Sequence, residues 1–193
     1  MKKYRLYQIL RFIFTPLFKG YFNPTIIGNE KIIDGKLLLV GNHKHALDPL
    51  LVDACTKRTV HALAKSELFA GPLKYFFNAI GAIPVDLDAK SNPDALKSAI
   101  VFLNNEELVN VSPEAERNYT DEILLPFKTG AVRMAMKTKC RILPYCIVGD
   151  YRFRSKNLKI VFGDYLEFDD EDVNKNNETL FNKIKELLLE HRQ

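Results

Sequence analysis

The sequence predicts a single α/β domain with a central, largely parallel or mixed sheet flanked by helices, and three observations carry that reading. Short apolar runs bounded by glycine, proline or polar residues alternate with longer stretches of helical periodicity, the pattern of strands and helices in turn. A chain of 193 residues supports one sizeable core and is too short for two ordinary domains joined by a linker. Its composition, 47% hydrophobic, 11% aromatic and 27% charged, is that of a globular protein and excludes a disordered, collagen-like or coiled-coil chain.

The first segment is basic and apolar at once. Residues 1–20 hold Lys2, Lys3, Arg5, Arg11 and Lys19 and no acid. Leu6, Ile9, Leu10, Ile13, Phe14 and Leu17 recur at spacings of three and four, as in an amphipathic helix. Arg11 and Pro16 interrupt the apolar run and no small-residue cleavage site follows, which argues against a signal sequence. The run also falls short of the roughly 18 apolar residues that a spanning helix needs. Residues 1–24 therefore read as a helix of the membrane-interface type, apolar face in the acyl boundary and cations on anionic head groups, or as an ordinary helix packed on the core.

Residues 25–193 form the domain proper. Lys36 to Val40 is a compact strand ended by Gly41, and Pro49 to Thr56 follows as a helix. A strand at Val60–Ala64, a helix at Leu68–Ile80 and a strand at Ile83–Val85 come next. They are followed by a helix at Pro93–Leu103, a strand at Glu107–Val111, a helix at Gly130–Thr138 and strands at Ile142–Val148 and Leu158–Phe162. The last element is a helix at Thr179–Glu190, with Leu180, Ile184, Leu187 and Leu188 on one side. The acidic stretch from Asp164 to Asp172 reads as a solvated loop before it, since it lacks the glycine and terminal glutamate of a calcium-binding loop.

Charge and cysteine usage exclude several classes. Lysine plus arginine exceed aspartate plus glutamate by only +4, too mild for a nucleic-acid binder. Cys55, Cys140 and Cys146 form an odd set without C-x-x-C spacing, so neither a disulfide framework nor a zinc site is expected, and the thiols read as free and buried.

The chemistry concentrates where the first of these strands ends, in Gly41-Asn42-His43-Lys44-His45-Ala46-Leu47-Asp48-Pro49. Ligands bind at the carboxyl ends of strands in open α/β sheets. A histidine there can take a proton from an alcohol, and a carboxylate on its other nitrogen fixes the tautomer and stabilises the imidazolium. On a continuous helix His43 and Asp48 would lie about 140° apart, so their meeting requires His43 on the loop and Asp48 at the helix start. Asp48 before Pro49 is equally an N-cap signature, which would direct its carboxylate to the helix backbone. The pair His43 and His45 with Asp48 also admits a metal-dependent hydrolase, although Asp48 is one place out of register for the familiar metal motif and only His61 is at hand as a further histidine.

The order of motifs resembles the glycerophospholipid acyltransferases typified by 1-acylglycerol-3-phosphate acyltransferase. Asn42, His43 and Asp48 match that family's N-H-x-x-x-x-D; Ala64-Lys65-Ser66-Glu67-Leu68-Phe69 and Gly81-Ala82-Ile83-Pro84-Val85-Asp86 resemble the segments that follow. Ser112-Pro113-Glu114-Ala115-Glu116-Arg117-Asn118 is similar to F-P-E-G-T-R-S, Pro126 to Ala131 to F-K-x-G-A, and Ile142-Leu143-Pro144-Tyr145 to the proline-centred fourth motif.

The resemblance implies transfer of an acyl chain from a thioester of coenzyme A or acyl carrier protein to the hydroxyl of 1-acylglycerol-3-phosphate, giving phosphatidic acid. His43 is then the general base and Asp48 its orienter, with Asn42, Glu114, Arg117 and Lys128 at the substrate. It implies no cofactor beyond the thioester co-substrate, no metal, no nucleic acid, and a peripheral place on the cytoplasmic face of an anionic membrane. A covalent acyl-enzyme is not required, and no G-x-S-x-G elbow is present. Three positions depart from the pattern: Leu87 stands where the family commonly has arginine, Ala115 replaces its glycine, and Glu116 its threonine. Losing a cation and gaining a carboxylate weaken phosphate binding, with Lys128, Lys65 or Arg133 as replacements. The departures leave open another lysophospholipid or lipid alcohol as acceptor, or a catalytically weak lipid-binding relative.

Overall fold

A computed structural model describes residues 4–87, 89, 91–168 and 172–192. The chain begins with helix α1 (Arg5–Phe22), followed by strands β1 (Thr25–Ile27) and β2 (Leu37–Gly41), helix α2 (Asp48–Ala54) and strand β3 (Val60–Lys65). After a 3-10 turn at Ser66–Phe69 come α3 (Leu73–Ala79), β4 (Ile83–Val85), α4 (Pro93–Asn104) and β5 (Leu108–Val111). The second half is α5 (Gly130–Thr138), β6 (Arg141–Val148), β7 (Lys159–Phe162) and α6 (Val173–His191).

The strands form one sheet in the order β1-β7-β6-β2-β5-β3-β4. Among the described strands β6–β7 is the antiparallel pair; β2 pairs parallel with β5 on one side and β6 on the other. The carboxyl ends of these three adjacent strands therefore open on the same edge. Leu37, Leu38, Leu39 and Val40 are all fully buried because both faces of β2 are covered. Leu38 and Val40 pack against α4, α5 and α6 through residues such as Ala99, Val132 and Ile184. Leu37 and Leu39 pack on the other side with Phe18 of α1 and Leu51 and Val52 of α2.

Most expected elements are present, and the differences have local causes. The helix expected over 68–80 is broken, because Gly71, at φ = +60°, and Pro72 separate the 3-10 turn from α3. The last helix starts at Val173 rather than Thr179: Asp172 caps it, accepting from the N–H groups of Asn174 and Lys175. In the rest of the acidic stretch Asp164 pairs with Lys31 at 2.9 Å and Glu167 with Arg141 at 2.6 Å, while residues 169–171 lie outside the described residues. Strand β1, three residues on the edge beside β7, has no apolar run long enough to announce it. All three cysteines are free and buried.

Helix α1 packs on the core by one side and leaves its apolar stripe exposed on the other. Its inner side is seated in the domain: Tyr7 and Phe18 are buried, the Tyr7 hydroxyl donates to Asp53 at 2.8 Å, and Arg11 reaches the carbonyls of Thr56 and Arg58. Burial pushes the Asp53 carboxyl up to about 7, and the hydroxyl it accepts from opposes that rise. The opposite side carries the apolar stripe to the surface, with Phe12 83%, Leu17 62% and Ile9 58% exposed and Leu6, Ile13 and Phe14 beside them. Lys2 and Lys3 lie outside the described residues. No helix among the described residues is long and apolar enough to cross a membrane.

Gly41, the last residue of β2, marks a close approach. A Cβ there would fall 2.2 Å from the ring of Tyr145, a fully buried side chain whose hydroxyl donates to Asn110 at 3.0 Å. Neither partner has room to yield. Gly41→Ala is expected to lower stability by about 1–3 kcal/mol, read as a fall in thermal midpoint; a midpoint equal to the parent's would contradict this packing.

Candidate active site

The loop after β2 is fixed by hydrogen bonds from three directions. Asn42 continues the ladder with its side chain: its amide donates to the Ile147 carbonyl at 3.0 Å, and its carbonyl accepts from the Ile147 N–H at 2.7 Å. This ties the end of β2 to β6. Next, the His43 N–H donates to Glu114 Oε1 at 2.8 Å, and the His43 carbonyl accepts from the Asn118 N–H at 3.0 Å. The loop after β5 thereby grips the loop after β2.

Asp48 does not cap α2. Although it opens the helix, its carboxylate turns back onto the preceding loop, where Oδ2 accepts from the N–H groups of Lys44 at 2.7 Å and His45 at 2.8 Å. The same oxygen lies 2.9 Å from His43 Nδ1, and Oδ1 accepts from the Tyr151 hydroxyl at 2.6 Å. The Lys44, His45 and Tyr151 groups on this carboxylate are all donors, an arrangement that favours the His43 tautomer with its hydrogen on Nδ1. The cap expectation fails because the loop's own amides and the imidazole lie nearer the carboxylate than the helix N–H groups do.

His43 Nε2 is left without a partner among the described residues. The Asp48 side chain is 2% exposed and that of His43 24%, so the acid is hidden and the imidazole reachable. His43 lines a cleft of about 200 Å³ with Asn42, Lys44, Glu114, Glu122 and Arg192.

Both Glu114 oxygens accept from backbone, Oε1 from His43 and Oε2 from Leu125 at 2.8 Å. Burial pushes its carboxyl above the ordinary glutamate range, and the two N–H groups work against that rise. Its place is that of a bracket between the loops after β2 and β5. Directly after Glu114, Ala115, standing where glycine is usual in the resembling sequences, has φ = +63°, a conformation that glycine adopts more readily.

The structure brings together four of the six expected site residues. Arg117 and Lys128 stand apart from the cleft and are exposed: the Arg117 guanidinium lies 5.3 Å over the Tyr119 ring, and the Lys128 ammonium donates to the Leu87 carbonyl at 3.3 Å. Arg133 reaches only Thr129. His45 is held by the Leu47 N–H on Nδ1 and stacks on Tyr151, and both nitrogens of buried His61 are engaged, by the Gly81 carbonyl and by Glu107. No group of three or more His, Cys, Asp or Glu among the described residues is arranged to hold a metal. Tyr151 and Leu125 are the site residues that sequence reasoning missed. Neither belongs to a motif, and Tyr151 is 103 positions from its partner.

A three-layer α/β domain with a His–Asp pair at the carboxyl end of its central strand defines the class. Residues 23–148 match the family described as Acyltransferase, and the chain belongs to that family. It is 31% identical over 147 residues to the 1-acyl-sn-glycerol-3-phosphate acyltransferase of Helicobacter pylori, covering 72% of this chain and 61% of that protein. It is 27% identical over 127 residues to the protein of the same name from Saccharomyces cerevisiae, covering 63% of this chain and 42% of that one. The chain thus spans about half the length of these curated relatives. The fold is similar to the crystal structure of the 1-acyl-sn-glycerophosphate (LPA) acyltransferase, PlsC, from Thermotoga maritima, with a TM-score of 0.71 at 21% identity over 97% of this chain and 81% of that one.

Proposed function

We propose that the chain transfers an acyl group from an acyl thioester of coenzyme A or acyl carrier protein to the hydroxyl of 1-acylglycerol-3-phosphate, giving phosphatidic acid. The observation that carries the reading is the 2.9 Å contact between His43 Nδ1 and buried Asp48, which leaves Nε2 free beside an open cleft. In the proposed reaction Nε2 takes the acceptor's hydroxyl proton as its oxygen attacks the thioester carbonyl. The tetrahedral oxyanion collapses with cleavage of the C–S bond, and the imidazolium returns its proton to the departing thiolate. Asp48 holds the imidazole in the tautomer that can accept and stabilises the cation that forms. The base contributes about a hundred- to ten-thousand-fold, and positioning of the two substrates supplies much of the rest.

Lys128 and Arg117 are proposed to meet the acceptor's phosphate. The contact between the Lys128 ammonium and the Leu87 carbonyl supports this, since it brings a cation to the position that resembling sequences fill with arginine. Leu87 and Glu116 favour a second reading of the acceptor alone, another lysophospholipid or lipid alcohol. Incubating an acyl thioester with a panel of these acceptors and following thiol release tests both. His43→Ala is expected to lose at least a hundredfold in rate and Asp48→Asn nearly as much. Thiol release that persists in His43→Ala with every acceptor would overturn the role of His43 as base, and no release from the parent with any acceptor would leave a lipid-binding relative.

The exposed stripe of α1, with Arg5 and Lys19 and no acid on the helix, supports peripheral attachment to an anionic bilayer, which we place on the cytoplasmic face. Because Tyr7 and Phe18 are seated in the domain, deleting the helix would remove core as well as surface. The paired change Phe12→Glu and Leu17→Glu tests the outer side alone. The parent is expected to float with anionic vesicles and the paired variant to remain at the bottom of the gradient with an unchanged thermal midpoint; equal flotation would contradict attachment through α1.

A further inference from the structure

We infer that Tyr151 is a positioning residue of the His43–Asp48 pair, locking the plane of the Asp48 carboxylate and coupling it to helix α1. The inference rests on the general-base reading above.

The hydrogen bonds to Asp48 divide unequally. Lys44 N–H, His45 N–H and His43 Nδ1 converge on Oδ2, whereas Oδ1 accepts from the Tyr151 hydroxyl. Three contacts on Oδ2 hold one end of the carboxylate. The fourth, at 2.6 Å on Oδ1, holds the other end and completes the fixing of its plane. The direction in which Oδ2 faces Nδ1 sets the direction of the imidazole, and so the place of Nε2. A phenol suits this task because it donates without adding charge. Burial, and after it the Asp48 charge, pushes its pKa far above the ordinary tyrosine value, so the hydroxyl keeps its proton.

Tyr151 is itself anchored on two sides. Its ring stacks on His45 at 4.6 Å between centroids and 22° between planes, and meets Phe22 edge-on at 5.6 Å and Phe18 at 6.5 Å. Its loop is bound to the end of α1 through backbone, Arg154 N–H to the Tyr21 carbonyl at 2.6 Å and Ser155 N–H to the Phe22 carbonyl at 3.1 Å. The helix with the outward apolar stripe is therefore joined to the dyad through one ring and one hydroxyl. The titratable groups facing that hydroxyl are His45 from the loop after β2, Asp48 at the start of α2, Tyr145 from β6 and Cys55 after α2.

Tyr151→Phe keeps every ring contact and removes only the donor. Steady-state kinetics of the full chain with acyl-coenzyme A and the acceptor selected from the panel, over a range of pH, test the inference. The expected result is a kcat about tenfold lower with KM unchanged. The acid limb of the kcat/KM profile is expected to move to higher pH, because a carboxylate relieved of one donor presents more negative charge to the imidazolium. A residue that only filled space would move neither the limb nor the split. His43→Ala is measured alongside. If it is inactive while Tyr151→Phe keeps the parent kcat and limb, the general-base reading stands and this inference is overturned; if His43→Ala turns over like the parent, both fall.

Discussion

A carboxylate withdrawn from water must find donors for its oxygens, and in this chain Asp48 finds four within 2.9 Å. Each hydrogen bond to a charged group contributes about 1.5–3 kcal/mol and becomes costly if broken. The loop after β2 therefore has little freedom. Lys44 and His45 must present their amides, His43 must present Nδ1, and the loop after β6 must bring a hydroxyl across. The local backbone, the imidazole's tautomer and the approach of a distant loop all follow from one buried charge.

The sheet makes that convergence feasible. β2 lies between β5 and β6, parallel to both, so the three loops that leave their carboxyl ends start on one edge. Asn42 binds the first to the third through Ile147, Glu114 binds the second to the first through His43, and Tyr151 closes the circuit. With acid and bracket both engaged by the protein, His43 Nε2 has no partner among the described residues, and it is the atom the proposed acyl transfer requires. The buried inner side of α1 extends the same unit outward to a surface stripe proposed to rest on lipid.

Much of this was legible in the sequence because it is local or repetitive. The unbroken apolar run at Leu37–Val40 announced a strand covered on both faces, and the ordered motifs around His43, Glu114 and Lys128 announced the family. What failed to show was decided by competition or by tertiary contact. Asp48 before Pro49 carries the same local signal whether it caps or turns back, and the positions of the Lys44 and His45 amides, His43 and Tyr151 settle which. The start of α6 was hidden because Asn174, Asn176 and Asn177 weaken the helical pattern behind a good cap. Tyr151 left no trace, since an aromatic after a strand is common and its importance lies in a partner 103 positions away.

The proposed chemistry turns on the placement of one hydrogen, on Nδ1 of His43, by Asp48. Nitrogen-15 NMR of the imidazole at a pH where it is neutral reads that placement directly. A protonated Nδ1 and a bare Nε2 are expected in the parent chain, with the preference lost in Asp48→Asn. A proton resident on Nε2, with Nδ1 bare, would contradict it.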